Sequence, residues 1–170
     1  LPDWLESIKK VGGNEIIADL NAGPASYLKT WGATTSFQPG ENIALKRPTK
    51  ASKYEWSLFH NFKPSQANDG SVKTRWASGW NDNEWWQVDL GATRQITKVT
   101  IEWESAFGKD YDIQTSHDGT TWTKVAEVRN GKGGLNTIKI ADGSGQYVRF
   151  QGIKRATKYG YSIKEIQVFS

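Results

Sequence analysis

From residue 41 onward, apolar and polar side chains alternate with a period of two, and turn-forming clusters interrupt the alternation roughly every ten residues. In "ITKVTIEW" the alternation sends Val99, Ile101 and Trp103 to one side and Thr100 and Glu102 to the other. "YDIQTS", "WTKVAEV", "TIKI", "YVRFQ" and "IKEIQVF" repeat the pattern. Only extended backbone turns such alternation into one apolar face, because successive strand side chains point to opposite sides. "HDGTTW", "NGKGG" and "ADGSGQ" supply Asp-Gly, Asn-Gly or paired glycines where the chain must reverse. Many short strands at this spacing predict an all-β sandwich or barrel. The rhythm of parallel nucleotide-binding folds is missing, and "GKGG" lacks the Lys-Ser/Thr and helix of a phosphate loop, so it reads as a hairpin turn.

The 170 residues are enough for one domain to bury a core without obligatory metals or disulfides. Nine Trp, six Tyr and six Phe favour strands. With no Cys, thiol catalysis, thiolate metal sites and disulfides are all excluded, and the compartment stays open. The net charge of +4 is spread among acids, as in "IKEIQ" and "IEWES", so the continuous basic patch that nucleic acid requires is not indicated. No run reaches the ~18 apolar residues of a membrane helix. "LPDWLESIKK" lacks the features of a signal peptide, and the chain reads as an internal or C-terminal piece.

Residues 1–40 follow another pattern. "DWLESIKKVGG" places Trp4, Leu5, Ile8 and Val11 at helical spacing between an Asp3 N-cap and a Gly12 stop, and "GPASYLKTWG" has Pro24 early and Gly32 at its end. "NEIIADL" between them fits a strand or more helix, and "ATTSFQPGEN" has the composition of a linker. The expectation is a partly helical extension over 1–40, the tail of an upstream domain plus connector, followed by a module over 41–170.

Five stretches, in order, carry a resemblance: "ENIALKRPTKAS", "ANDGSVKTRW", "EWWQVDLGA", "DYDIQTSHDGTTWTKV" and "GQYVRFQGIKRATKYGYSIKEIQVF". Together they resemble the discoidin-type module (coagulation factor V/VIII C-domain type), and specifically the bacterial family 32 carbohydrate-binding modules, including those of chitosanase/glucanase enzymes. The resemblance spans residues 41–170 and leaves out 1–40. It implies an eight-stranded antiparallel jelly-roll β-sandwich of the galactose-binding-domain-like kind. It further implies a noncatalytic, monomeric module, secreted by bacteria and covalently attached to a glycoside hydrolase or polysaccharide lyase.

"QANDGSVKT" sets a carboxylate, a glycine and hydroxyls in one short loop, which suits a hard cation such as calcium. Read without the resemblance, Asp69-Gly70 fits a simple turn better than an ion site, and Glu165 a solvated strand residue. The resemblance implies a structural calcium held by the Gln66 carbonyl, the Asp69 carboxylate, the Ser71 carbonyl and both oxygens of Thr74, with the Lys164 carbonyl and the Glu165 carboxylate from the last strand. Such an ion would tie the loop to the chain's end.

"RWASGWNDNEWWQVDLG" packs four tryptophans into seventeen residues. Trp86 alternates in step with Val88 and Leu90 and is expected in the core, as is Trp76. Trp80 lies among turn residues, and exposed and rim-packed positions are both open to it; Trp85 shares the ambiguity. Sugar recognition needs a ring face for the C–H side of a pyranose and polar groups for its hydroxyls. "GWNDN" holds both, which makes Trp80, Asn81 and Asp82 candidate ligand residues. The resemblance places binding in "KYEWSLFHNF", "SGWNDNE", "ESAFGKDY", "NGKGGLN" and "RATKYGYS", with Glu55 meeting a hydroxyl or amine, Arg75 at the pocket base and Tyr159 as a platform. Trp56, beside Glu55, joins the candidates. The chain departs from the chitosan-binding pattern where Gly79-Trp80 replaces an expected second acid, and where "LFHN" adds residues. The ligand class therefore spans chitosan, β-glucan, mannan and uronate polysaccharides. Lys132, Lys154, Arg155 and Lys158 would favour an acidic polysaccharide if they converge, and otherwise form a solvated face.

Catalysis is not expected. The two histidines, His60 and His117, have no triad neighbours, and they are too few for zinc. Glu102 and Glu104 read as a solvent-side pair of one strand and not as carboxylates facing each other across a cleft. The alternative function is an adhesion or membrane-surface module of the discoidin kind, for which Trp56, Leu58 and Phe59 would form the apolar loop tip.

Overall fold

The computed structural model describes residues 40–170. The helices and connector expected within residues 1–39 lie outside the described residues. Among the described residues nine strands follow one another: β1 (Thr49–Ala51), β2 (Trp76–Ala77), β3 (Trp85–Gln95), β4 (Lys98–Trp103), β5 (Gly108–Ser116), β6 (Thr123–Val128), β7 (Leu135–Lys139), β8 (Ser144–Arg155) and β9 (Ser162–Phe169). They form a five-stranded sheet, β1-β3-β8-β5-β6, and a four-stranded sheet, β2-β9-β4-β7. Every pairing between the strands is antiparallel. The all-β sandwich is as the sequence predicts, with nine strands in place of the expected eight, the two shortest being the edge pieces β1 and β2.

The period-two pattern does the folding work. In β4, Val99, Ile101 and Trp103 are buried while the residues between them are half-buried. Each such aliphatic side chain stabilises the sandwich by roughly 1.5–3 kcal/mol. At the centre, Phe150 meets Trp103 edge-on at 5.6 Å and Tyr161 at 5.1 Å. Trp76 and Trp86 are fully buried, as expected. Their indole N–H groups donate to the Lys53 and Pro64 carbonyls, so neither leaves an unpaired donor in the core.

The expected hairpin at "NGKGG" is instead a crossover, because it joins β6 of one sheet to β7 of the other. Gly133 and Gly134 have φ of 73° and 68°, which glycine adopts without strain, and the Gly131 N–H donates to Lys109 O at 2.8 Å. "HDGTTW" does close the β5–β6 hairpin, where the Thr121 and Thr120 amides hold the Asp118 carboxyl well below the usual carboxylate range.

The registers Ala77↔Ser162, Trp85↔Gln151, Gly108↔Arg155 and Trp103↔Ile163 bring the loops over 78–84, 104–107 and 156–161 to one end. At the opposite end, Asn42 Oδ1 accepts from the amides of Val168 at 3.0 Å and Ala44 at 3.1 Å, fastening the start of the described fold to its final strand.

Candidate functional site

Arg75 directly precedes β2, Ser162 opens β9, and Glu104 follows β4, so the neighbouring antiparallel strands of one sheet deliver all three to the same end. Arg75 Nη1 lies 3.0 Å from Glu104 Oε2 and donates to Ser162 Oγ at 3.1 Å. Its guanidinium sits 4.2 Å from the centre of the Phe62 ring. Burial pushes the Glu104 carboxyl upward, but hydrogen bonds from the Ser105 hydroxyl and the Ser105 and Ala106 amides, together with Arg75, outweigh it and hold the group below the usual carboxylate range.

Trp80 closes the other side. Its Nε1–H donates to Glu55 Oε1 at 2.6 Å, and its ring stands edge-on to Tyr159, with centres 5.4 Å apart and planes at 85°. Trp80 is 55% exposed and Tyr159 47%. Gly160 permits this approach: a Cβ there would collide with the Gly79 carbonyl and the Ser78 hydroxyl. Between these walls lies a hollow of about 290 Å³, lined by Glu55, Arg75, Ser78, Trp80, Glu104, Tyr159 and Tyr161 among others. Two carboxylates, a guanidinium and two accessible rings therefore converge on one open space.

Of the residues expected at the ligand, Glu55, Arg75, Trp80 and Tyr159 line this hollow, and Trp56, Asn81 and Asp82 do not. Asn81 Nδ2 donates to Glu84 Oε1 at 3.1 Å. Asp82 Oδ1 accepts from Arg155 Nε at 2.8 Å, a hydrogen bond that holds the Asp82 carboxyl low. Arg155 also donates to Trp80 O at 2.9 Å, so Asp82 and Arg155 brace the loop that carries Trp80. Trp56 lines a different hollow, which shares Glu55 with this one. Trp85, unlike Trp80, packs under Arg149, whose guanidinium lies 4.1 Å from the Trp85 ring centre and 4.0 Å from that of Trp122. Lys132, Lys154, Arg155 and Lys158 are not among the lining residues.

Glu104 corrects the sequence reading. β4 ends at Trp103, so Glu104 leaves the strand and turns to the hollow instead of sharing a solvent face with Glu102. It gives the hollow a second acid beside Glu55, from a different loop. The departure of "ESAFG" from strict alternation was the available signal.

A second cluster involves the loop of Asp69. The Thr74 hydroxyl donates to Asp69 Oδ2 at 2.6 Å, with Ser71 O 3.2 Å and Gln66 O 3.5 Å from the same oxygen. Glu165, on β9 next to Lys164, is 6% exposed, and both its carboxylate oxygens are buried without a hydrogen-bond partner. Burial, with the nearby Asp69 carboxylate, pushes its pKa up to about 7. Among the described residues no group of three or more His, Cys, Asp or Glu could hold a metal. An ion here would therefore depend on carbonyl and hydroxyl oxygens besides Asp69 and Glu165, and that oxygen set, with two unpaired buried acceptors, fits a hard cation.

Two antiparallel sheets with a polar, aromatic-walled hollow among the loops at one end define a galactose-binding-like β-sandwich. More particularly, the chain belongs to the F5/F8 type C family, with residues 66–150 matching its NedA-like, galactose-binding domain. Chitosan-binding module 1 from the chitosanase/glucanase of Paenibacillus sp. IK-5 is 39% identical, with 76% of this chain and 99% of that chain covered and a TM-score of 0.72. Module 2 of that enzyme, in complex with chitotriose, is 35% identical over 76% of this chain and 100% of its own, also with a TM-score of 0.72. The polysaccharide lyase 8 family protein HylA of Enterococcus faecalis is 30% identical over 107 residues, or 63% of this chain. The chain spans less than a tenth of the length of the curated relatives it matches.

Proposed function

We propose that residues 41–170 form a noncatalytic carbohydrate-binding module that holds an attached, secreted polysaccharide-degrading enzyme of bacterial origin at its substrate by raising effective concentration. The observation that carries this is the convergence of Glu55, Glu104, Trp80 and Tyr159 on one open hollow. The rings offer a face for the apolar side of a pyranose, and the carboxylates accept from hydroxyl or ammonium groups. Two acids beside one guanidinium favour a polysaccharide bearing amino groups, of the chitosan class, over a uronate. The likeness to the Paenibacillus chitosan-binding modules supports the same choice. Affinity is weak, because hydroxyl contacts in an open hollow replace equally good contacts with water.

The module carries a structural calcium in this proposal. Gln66, Asp69, Ser71 and Thr74 would hold it with Lys164 and Glu165, and the ion's role would be to tie the loop to β9. The orphaned Glu165 oxygens support this.

Affinity electrophoresis against soluble chitosan, β-glucan, mannan and polyuronate tests the ligand class. Retardation by chitosan is expected; retardation by polyuronate alone would overturn the choice, and none in any gel would remove the module reading. A second reading, docking to a phospholipid surface, is favoured by one feature: Leu58 and Phe59 are 87% and 89% exposed at a single loop tip. Sedimentation with anionic vesicles, without retention by any polysaccharide, would put it first.

A further inference from the structure

The segment Trp56–Asn61 is a fixed hairpin. Trp56 and Asn61 form an antiparallel bridge, and the Ser57 N–H donates to His60 O at 2.8 Å. The Ser57 hydroxyl in turn accepts from the amides of Phe59 at 3.2 Å and His60 at 3.1 Å. At its base, the Glu55 N–H donates to Ala77 O at 2.8 Å and the Phe62 N–H donates to Glu55 O at 3.1 Å, so Glu55 is anchored where the hairpin meets the sandwich. The His60 ring stacks on Phe62, with centres 5.5 Å apart and planes 10° apart, and Phe62 carries the Arg75 guanidinium.

This hairpin walls a second hollow of about 330 Å³, lined by Glu55, Trp56, Ser57, His60 and Phe62. Glu55 lines both hollows, so the two are neighbours across one carboxylate. The chemistry of the first is repeated in the second: an accessible indole, Trp56 at 67% exposure, beside a carboxylate and an imidazole able to meet hydroxyls.

We propose that the hollow between Trp56 and His60 is a second sugar subsite, contiguous with the first through Glu55, so that the protein takes consecutive units of one glycan chain. The proposal rests on the carbohydrate-binding reading. Of the "LFHN" residues, His60 lines this hollow, while Leu58 and Phe59 form the exposed tip of the hairpin. Glu55 Oε1 accepts from the Trp80 indole, which ties the carboxylate shared by the two hollows to the wall of the first. A sugar unit in the second hollow stacks on Trp56 while the preceding unit stays on Trp80 and Tyr159.

The test is calorimetric titration of the whole chain with glucosamine, chitobiose and chitotriose. Wild-type affinity should rise about fivefold to tenfold from glucosamine to chitobiose, the gain of one added ring contact. In Trp56→Ala the ratio of chitobiose to glucosamine affinity should fall toward one, whereas Trp80→Ala should weaken all three sugars. His60→Ala, which opens the facing wall, should lower the same ratio and guards against a misfolded Trp56 variant. A ratio that stays at the wild-type value in both Trp56→Ala and His60→Ala overturns the second subsite while leaving the first intact. Failure of the chitosan-class reading looks different: wild-type protein then binds none of the three sugars, and the second subsite falls with it.

Discussion

The Trp80 indole N–H donates to the Glu55 carboxylate across 2.6 Å, linking a loop that follows β2 to one that precedes it. The bond sets the angle of an exposed ring, so the platform is held in place before any sugar arrives. Preorganisation of this kind removes part of the ordering cost of binding.

Replacing Trp80 or Tyr159 by alanine should weaken sugar binding by about 1 kcal/mol or more, the scale of a ring contact. Because both rings are about half exposed, melting temperatures should stay near wild type. Calorimetry and thermal melts on the same samples check this; a Trp80→Ala protein that unfolds would show the ring to be core.

Glu104→Gln should reduce affinity for amino sugars more than for neutral β-glucan. The substitution removes one of two acids in the hollow and frees the Arg75 guanidinium to repel an ammonium group. Parallel affinity gels on chitosan and glucan read the difference.

The Glu165 carboxyl, with its pKa near 7 when no ion is bound, makes stability depend on pH. The folded form then holds a proton that the unfolded chain releases at its ordinary, lower pKa, so stability is highest in acid and declines as pH rises toward 7. The loss should be roughly 2 kcal/mol in excess EDTA. With calcium the trend should reverse, because the ion favours the ionised carboxylate. Melts at pH 5 and pH 7, with calcium and with EDTA, check both signs; superimposable curves would count against the ion.

Gly160→Ala should cost about 1–3 kcal/mol, since its new methyl group meets the Gly79 carbonyl and the Ser78 hydroxyl. The strain would also displace Tyr159, so chitotriose binding should fall along with the melting temperature.

The strands were legible because alternation needs no knowledge of the partner strand: Val99, Ile101 and Trp103 declare their shared face locally. Other features depend on distant chain. Trp80 and Trp85 look alike in sequence, and they part only because Arg149, from β8, covers the second ring. "NGKGG" announces a reversal, but its residues do not encode which sheet receives the strand after it. Asn81 and Asp82 have the chemistry of sugar ligands, yet Glu84 and Arg155 engage their side chains to shape the loop. Glu104 was hidden because the end of β4 is decided by tertiary pairing.

The clasp between Asn42 and Val168 sits at the pole remote from the hollow, where Gly40 and Ser170 also border a common groove. A polypeptide spliced on after Ser170 would therefore emerge behind the recognition surface and leave its mouth unshadowed. The same geometry suits the fold to display on a bead or an electrode, since anchoring by that rear face would aim every copy outward.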